Sequence, residues 1–205
     1  MKLFASLTSP YARKIRIMLA EKALPFELVV DSPWETNTRV PDLNPLGKVP
    51  VLITNAGEAF FDSPVVAGYL ETLDAAPRLL PLDPLERVRV RVRQIEALAD
   101  GVCDAAVSAL LESRRPENVR NTGDIARQLG KVARALNALE SRLGESPWFN
   151  GDAPLLGDLA TGVALAYLDL RFPDLDWRTG RPHLAALGER LNARASFATT
   201  VPPAG

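Results

Sequence analysis

The chain is nearly devoid of cysteine: Cys103 is the only one in 205 residues. A single thiol cannot close an internal disulfide, and a fold without staples fits a reducing compartment. Long hydrophobic runs are missing too, since no apolar stretch approaches the roughly 18 residues of a membrane span. Charge of one sign is not in excess, because 24 Lys and Arg meet 25 Asp and Glu for a net charge of -1. Phosphate backbones are held by a basic surplus, so nucleic acid is excluded as the main partner. Histidine is represented by His183 alone, in Arg181-Pro182-His183 at the start of a late helix, where a structural role is expected. Met1 to Ser9 holds only a short apolar stretch before Arg13 and Lys14, so no secretory leader is expected. What is present is ordinary for a globular protein: 47% hydrophobic and 24% charged residues, which excludes disorder. A soluble, cytoplasmic chain of two small domains is the expectation.

Pro77, Pro81 and Pro84 cluster where the composition changes. Each removes a backbone donor and fixes its own φ. The expected division is a first domain over 1–76, a linker over 77–83 and a second domain over 84–205. In the first domain, Lys2 to Ser6 reads as a strand. Pro10 to Ala23 reads as a helix with Tyr11, Ile15, Met18 and Leu19 on one face, started by Ser9 as N-cap. Further strands are expected at Glu27–Val30, Val51–Thr54 and Ala59–Phe61, the last two joined through Asn55-Ala56-Gly57. A loop or short helix precedes the third strand, and a helix over Ser63 to Leu73 follows the fourth. This order resembles the α/β thioredoxin-like arrangement.

The second part reads as an all-α bundle. Val88, Val90 and Val92 alternate with arginines at period two, which alone suggests a strand. Asp83-Pro84-Leu85-Glu86 ahead of them has the make-up of a capping-box start, and helical spacing continues through Leu110. One helix over Pro84–Ser113 is therefore expected, then others over Gly123–Leu143, Gly157–Phe172 and Pro182–Ala193. Arg87, Arg89, Arg91 and Arg93 wind around the first of these, as a solvated face or a dimer contact. Cys103, mid-helix, reads as a small buried hydrophobe, with the lining of a substrate cleft as the functional alternative.

Four features of the first domain carry chemistry. Ser9 places a hydroxyl at a helix N-terminus after the first strand, where free N–H groups favour an anion; the same residue serves equally as a plain N-cap. Asp62 and Ser63 repeat that device, with a carboxylate for an ammonium and an N–H for a carboxylate. Pro50 precedes an apolar strand in Asn44-Pro45-Leu46-Gly47-Lys48-Val49-Pro50-Val51. A cis Val49–Pro50 bond would expose the Val49 backbone to an extended ligand, although cis is uncommon among X–Pro bonds. Lys48, beside Val49, stands ready for a second carboxylate. Together they describe a site for a small zwitterionic peptide.

These residues resemble those of the cytosolic glutathione S-transferases over nearly the whole chain. The first domain matches through Ser9-Pro10, Asn44 to Val51 and Asp62-Ser63. The second matches more loosely through Trp148-Phe149-Asn150-Gly151-Asp152 and Gly157-Asp158-Leu159-Ala160. The resemblance implies a thioredoxin-like glutathione-binding domain followed by a helical domain supplying the second-substrate pocket. It implies a cis Pro50, Ser9 as hydrogen-bond donor to the glutathione sulfur and Val49 paired with the cysteinyl unit. Lys48 would meet the glycine carboxylate, while Asp62 and Ser63 hold the γ-glutamyl end. Some classes place tyrosine or cysteine at the sulfur; here the position resembles the serine type, without the nucleophile for thiol-transferase chemistry. Tyr11 and Cys103 are expected in the second-substrate pocket. Glutathione as co-substrate, a small electrophile or peroxide, no metal, a homodimer and a role in detoxification complete the expectation. A non-catalytic glutathione-binding or interaction protein on the same fold is the alternative. Two departures stand out. Leu155 occupies the N-cap where the family usually has Ser or Thr ahead of Asp158, and Asp62 replaces a commoner glutamate.

Overall fold

The computed structural model describes residues 1–81 and 87–203. The chain divides into two compact units: Met1–Leu80 together with Arg194–Gly205, and Pro81–Ala193. The first is a small mixed sheet with helices, the second is helical, and this is the thioredoxin-like domain and all-α domain that the sequence pattern predicts.

In the first unit, β1 (Lys2–Ala5) leads into α1 (Pro10–Glu21), β2 (Glu27–Val30), the single turn α2 (Val40–Leu43), β3 (Val51–Ile53), β4 (Ala59–Phe60) and α3 (Ser63–Thr72). The sheet order is β2-β1-β3-β4, with β1 and β2 parallel and the other neighbours antiparallel. α1 starts where expected: Ser9 is extended, Pro10 fills the first turn, and Ser9 Oγ accepts from the Ala12 N–H at 3.2 Å. Its apolar face, Ile15, Ile17, Met18 and Leu19, is fully buried and packs toward α3.

Lys22 closes α1 and sets the unit's most demanding interaction. Its side chain is 0% exposed and that of Glu71 on α3 only 3%, with Nζ 3.0 Å from Oε1. Nζ also donates to the carbonyls of Ala75 and Pro77, both at 2.8 Å, so all three ammonium hydrogens have acceptors. Glu71 Oε1 accepts in turn from the Leu79 N–H at 3.2 Å. One ion pair thus ties α1, α3 and the stretch beyond α3. Lys22→Met should cost about 3–5 kcal/mol in denaturant unfolding, because it strands a buried carboxylate, whereas adding Glu71→Leu should recover most of that loss.

In the second unit α4 (Val88–Ser113) is followed by a 3₁₀ turn (Glu117–Val119), α5 (Thr122–Leu143), α6 (Leu156–Arg171) and α7 (Pro182–Asn192). The capping-box start expected at Asp83-Pro84-Leu85-Glu86 lies outside the described residues. α4 does not run through Arg87 as expected, for Arg87 is left-handed at φ 57 and the helical ladder opens with Arg91 N–H donating to its carbonyl. The period-two valines are helical: Val92 is fully buried and Val90 is exposed. The arginines diverge as expected, Arg89 to the Pro81 carbonyl at 3.0 Å and Arg93 to Glu96 at 2.7 Å.

α6 is buried without a break from Leu156 to Leu165, as a central helix must be. Its Gly157 is required by packing, since a Cβ there would stand 2.9 Å from Ile95 on α4. Leu155 has no side-chain acceptor to offer, so only the return half of a capping box forms. Asp158 accepts from the N–H groups of Leu155 and Phe149, both at 2.9 Å. Burial raises its pKa while those N–H groups oppose the rise. Glu140 on α5 caps α7 by accepting from the N–H groups of His183 at 3.1 Å and Leu184 at 2.8 Å, which gives His183 its structural setting.

The last turn, α8 (Ala195–Ala198), belongs to the first unit through α1. Arg194 grips Glu21 with two bonds of 2.7 Å, and the Ser196 hydroxyl donates to the same carboxylate. Arg13 donates to the Phe197 carbonyl at 3.3 Å with its guanidinium 5.6 Å from the Phe197 ring centroid. Burial, reinforced by nearby Arg16, pushes the Arg13 pKa down to about 10. The Arg194 hydrogen bond, aided by Ser196, holds Glu21 below the usual carboxylate range. A depressed carboxylate stabilises the fold above its unfolded pKa and loses that contribution as pH falls through the folded value. Amide protection of Phe197 to Thr200 should therefore decline on acidification below about pH 4.3. In Glu21→Gln that step should be missing from a pH series of hydrogen exchange.

Candidate functional site

The site is built by strand direction. β1 ends at Ala5, beyond which lies Ser9. β3 runs the other way, pairing Val51 with Phe4, so Val49 and Pro50 lie at the end of β1. β4 reverses again, pairing Phe60 with Leu52, and delivers Asp62 and Ser63 to the same edge. Neighbouring strands are about 4.8 Å apart, so three loops converge within roughly 10 Å across that edge.

Each loop presents its predicted residue with capacity to spare. The Ser9 oxygen accepts from Ala12, which leaves its own O–H free to donate outward. The Val49–Pro50 bond is cis, and Val49 takes no part in the backbone hydrogen bonding of the described residues. Lys48 is exposed and has no ion-pair partner among the described residues. Asp62 is the exposed N-cap of α3 yet its side chain makes no cap hydrogen bond, while Ser63 at the first helical position is 2% exposed. Tyr11 lies half-buried in the first turn of α1; Cys103 is buried in α4, in the other unit. Among the described residues no cluster of three His, Cys, Asp or Glu side chains could hold a metal ion. A surface cavity of about 490 Å³, lined by Met1, Asn55, Glu58 and Tyr69, opens at the opposite edge and includes none of these residues.

Sequence reasoning quoted Asn44 without giving it a task. Asn44 is 1% exposed, donates through Nδ2 to the Lys48 carbonyl at 2.8 Å and accepts from the Leu46 N–H at 2.9 Å. Its carbonyl accepts from the Gly47 N–H at 2.8 Å, closing a turn in which Gly47 takes φ 61. One amide side chain therefore shapes the loop that carries Lys48, Val49 and Pro50. The signal was the Asn-Pro-x-Gly string, whose asparagine folds onto the backbone two residues ahead. Asn44→Ala should cost about 1–3 kcal/mol and sharply increase amide exchange at Leu46, as read by NMR.

Comparisons with known proteins point to one family. Residues 8–73 match the family model of the glutathione S-transferase N-terminal domain, and residues 122–187 that of the C-terminal domain. The chain is 44% identical over 203 residues to the GST-like protein YibF of Escherichia coli K12, covering 99% of each. Among solved structures, a glutathione S-transferase of Methylobacterium radiotolerans in complex with glutathione sulfonate superposes with a TM-score of 0.93 at 46% identity, covering 100% of this chain and 95% of that one. Another, from Methylobacillus flagellatus with glutathione bound, gives 0.93 at 42% identity and 98% coverage of both. With both domain models matched and near-full-length relatives at such identity, the chain belongs to the glutathione S-transferase family.

Proposed function

We propose that the chain is a glutathione transferase of the serine type. It binds glutathione along the edge where β1, β3 and β4 present their loops, and directs the thiolate at a small electrophilic or peroxide substrate. The observation that carries this reading is the Ser9 hydroxyl. Its oxygen is engaged by α1, its proton is uncommitted, and it stands at the positive end of the helix. An extended tripeptide spans about 10 Å, the width over which the three loops lie. Val49 offers its backbone to the cysteinyl unit and Lys48 its ammonium to the glycine carboxylate. The Ser63 N–H and the Asp62 carboxylate take the two ends of the γ-glutamyl group.

The energetics suffice without a general base. A thiol with a pKa of about 8.5 is only about 3% ionised at neutral pH. Lowering it to about 6.5 requires about 2.7 kcal/mol. A hydroxyl bond to a charged acceptor supplies about 1.5–3 kcal/mol, and a helix terminus up to about 2 kcal/mol. The helical residues supply the second-substrate pocket, with Tyr11 and Cys103 as its proposed members. The same reading makes the protein a cytoplasmic homodimer acting in detoxification.

The bound thiolate can be titrated by its ultraviolet absorbance. Ser9→Ala should raise the bound thiol's pKa by roughly one to two units and change glutathione affinity far less, with Thr8→Val as the silent control. Asp62→Ala with Ser63→Ala should sharply weaken affinity in calorimetry through loss of the Asp62 carboxylate, while the fold is retained. An identical titration in wild type and Ser9→Ala overturns the serine mechanism. Binding with no depression of the thiol pKa would make the protein a non-catalytic glutathione binder.

A further inference from the structure

The cavity at the edge opposite Ser9 is used by none of the chemistry above. Its volume of about 490 Å³ falls within the range of small-molecule sites. Chain direction brings its walls together. β1 begins at that edge, the β3–β4 hairpin turns there, and the chain leaves α1 and α3 there after both helices start at the Ser9 edge.

Each wall is held by bonds of its own. Thr54 Oγ1 accepts from the Ala56 and Glu58 N–H groups at 3.2 and 3.1 Å, so the hairpin fixes the backbone that carries Glu58. The Leu24 N–H donates to the Leu19 carbonyl at 3.0 Å and sets Leu24 and Pro25 against the cavity. On α3, the Tyr69 ring stacks on Phe60 with centroids 4.6 Å apart. Next to Asp74, the Ala75 carbonyl accepts from the buried Lys22 ammonium at 2.8 Å. Walls fixed in advance leave little ordering to be paid for when a ligand enters.

The lining is of two kinds. Leu24, Pro25, Leu73 and the Tyr69 ring give apolar surface, while Glu58 and Asp74 give negative charge. The Glu58 carboxylate is exposed and has neither ion pair nor hydrogen bond among the described residues. Asp74 has only Arg78, 3.7 Å away on open surface. The cavity also receives the carbonyl end of α3, whose last turn holds no basic side chain, and such an end favours a cation. Among the described residues the one cationic group on the wall, the Met1 nitrogen, is committed to Asn55 Oδ1 at 2.6 Å. No third acid, histidine or cysteine joins the two carboxylates to hold a metal ion. The matching ligand is therefore organic: a cation with an apolar body, to which the face of a tyrosine ring is attractive as well.

We propose that this cavity is a second binding site, taking a small organic amine in its ammonium form. The ammonium is held by Glu58 and Asp74, and the apolar body lies against Tyr69, Leu24 and Leu73. The site does not rest on the transferase reading, since none of the residues proposed for glutathione lines it.

The test is calorimetric titration of the full chain with phenethylamine, using phenethyl alcohol and hydrocinnamate as neutral and anionic counterparts, with and without glutathione. The amine should bind, less tightly as salt is raised, and neither counterpart should. Glu58→Gln and Asp74→Asn should each weaken it by about threefold and the two together by about tenfold, with glutathione affinity unchanged. Amide shifts on adding the amine should fall at Thr54–Glu58 and Leu73–Ala75. No binding by the wild type, undiminished binding by the double variant, or equal affinity for phenethyl alcohol overturns the site. Displacement of the amine by glutathione, or amide shifts confined to the Ser9 edge, overturns it too. Amine binding that behaves as expected while glutathione fails to bind removes the transferase reading and leaves the amine site standing.

Discussion

Everything the first unit offers chemically depends on β3 returning antiparallel on β1 and β4 returning antiparallel on β3. The strands are two to four residues long, so each hairpin carries few ladder bonds and direction matters more than length. Had β3 run parallel to β1, Val49 and Pro50 would lie at the opposite edge, about 10 Å from Ser9 along a three-residue strand. A slip of one residue would do different damage, turning Leu3 and Leu52 from the core toward the other face. The side chains that hold this register thus place the loops of the candidate site.

Buried polar groups divide into those that are answered and those that are not. Lys22 has three acceptors and Asp158 two N–H donors, and both fasten loops that carry no regular structure of their own. Such groups raise the cost of any misassembly, because each alternative leaves a charge or dipole unpaired in a medium where that is expensive. Arg13 Nε, Glu71 Oε2 and Arg171 Nε are the contrast, each shut away from solvent without a hydrogen-bond partner among the described residues.

Most helices of the chain were legible from local signals that act within a turn or two. Ser9-Pro10 starts α1 because an N-cap oxygen and a prefixed φ serve the first turn, and α3 starts at Ser63 with Pro64 in its first turn but no side-chain cap bond. The alternating Val88–Val92 stretch was read as helix only because its flanks outweighed its period, and its start was misplaced because nothing local marks Arg87 as left-handed. Ser9, Lys48, Val49, Asp62 and Ser63 could be proposed as a set because the spacing of small, charged and proline residues is itself the pattern. Asn44 was visible but mute, since its role lies in bonds to Leu46 and Lys48 that depend on the turn already being formed. The Lys22–Glu71 pair was invisible, since it arises from packing between elements, on which no single stretch of sequence bears.

The return of the last segment to α1 makes the first unit discontinuous in sequence. Between Leu80 and Arg194 the whole of the second unit intervenes. A chain emerging from the ribosome at about 5–20 residues per second therefore presents α1 with its Arg13, Arg16 and Glu21 surface bare for several seconds before the segment that covers it exists. The sheet and the loops that carry Ser9, Val49 and Asp62 can form in that interval, but their back support arrives only with the segment from Arg194 onward. Translation order and spatial order run opposite here: the domain begun first is the one finished last.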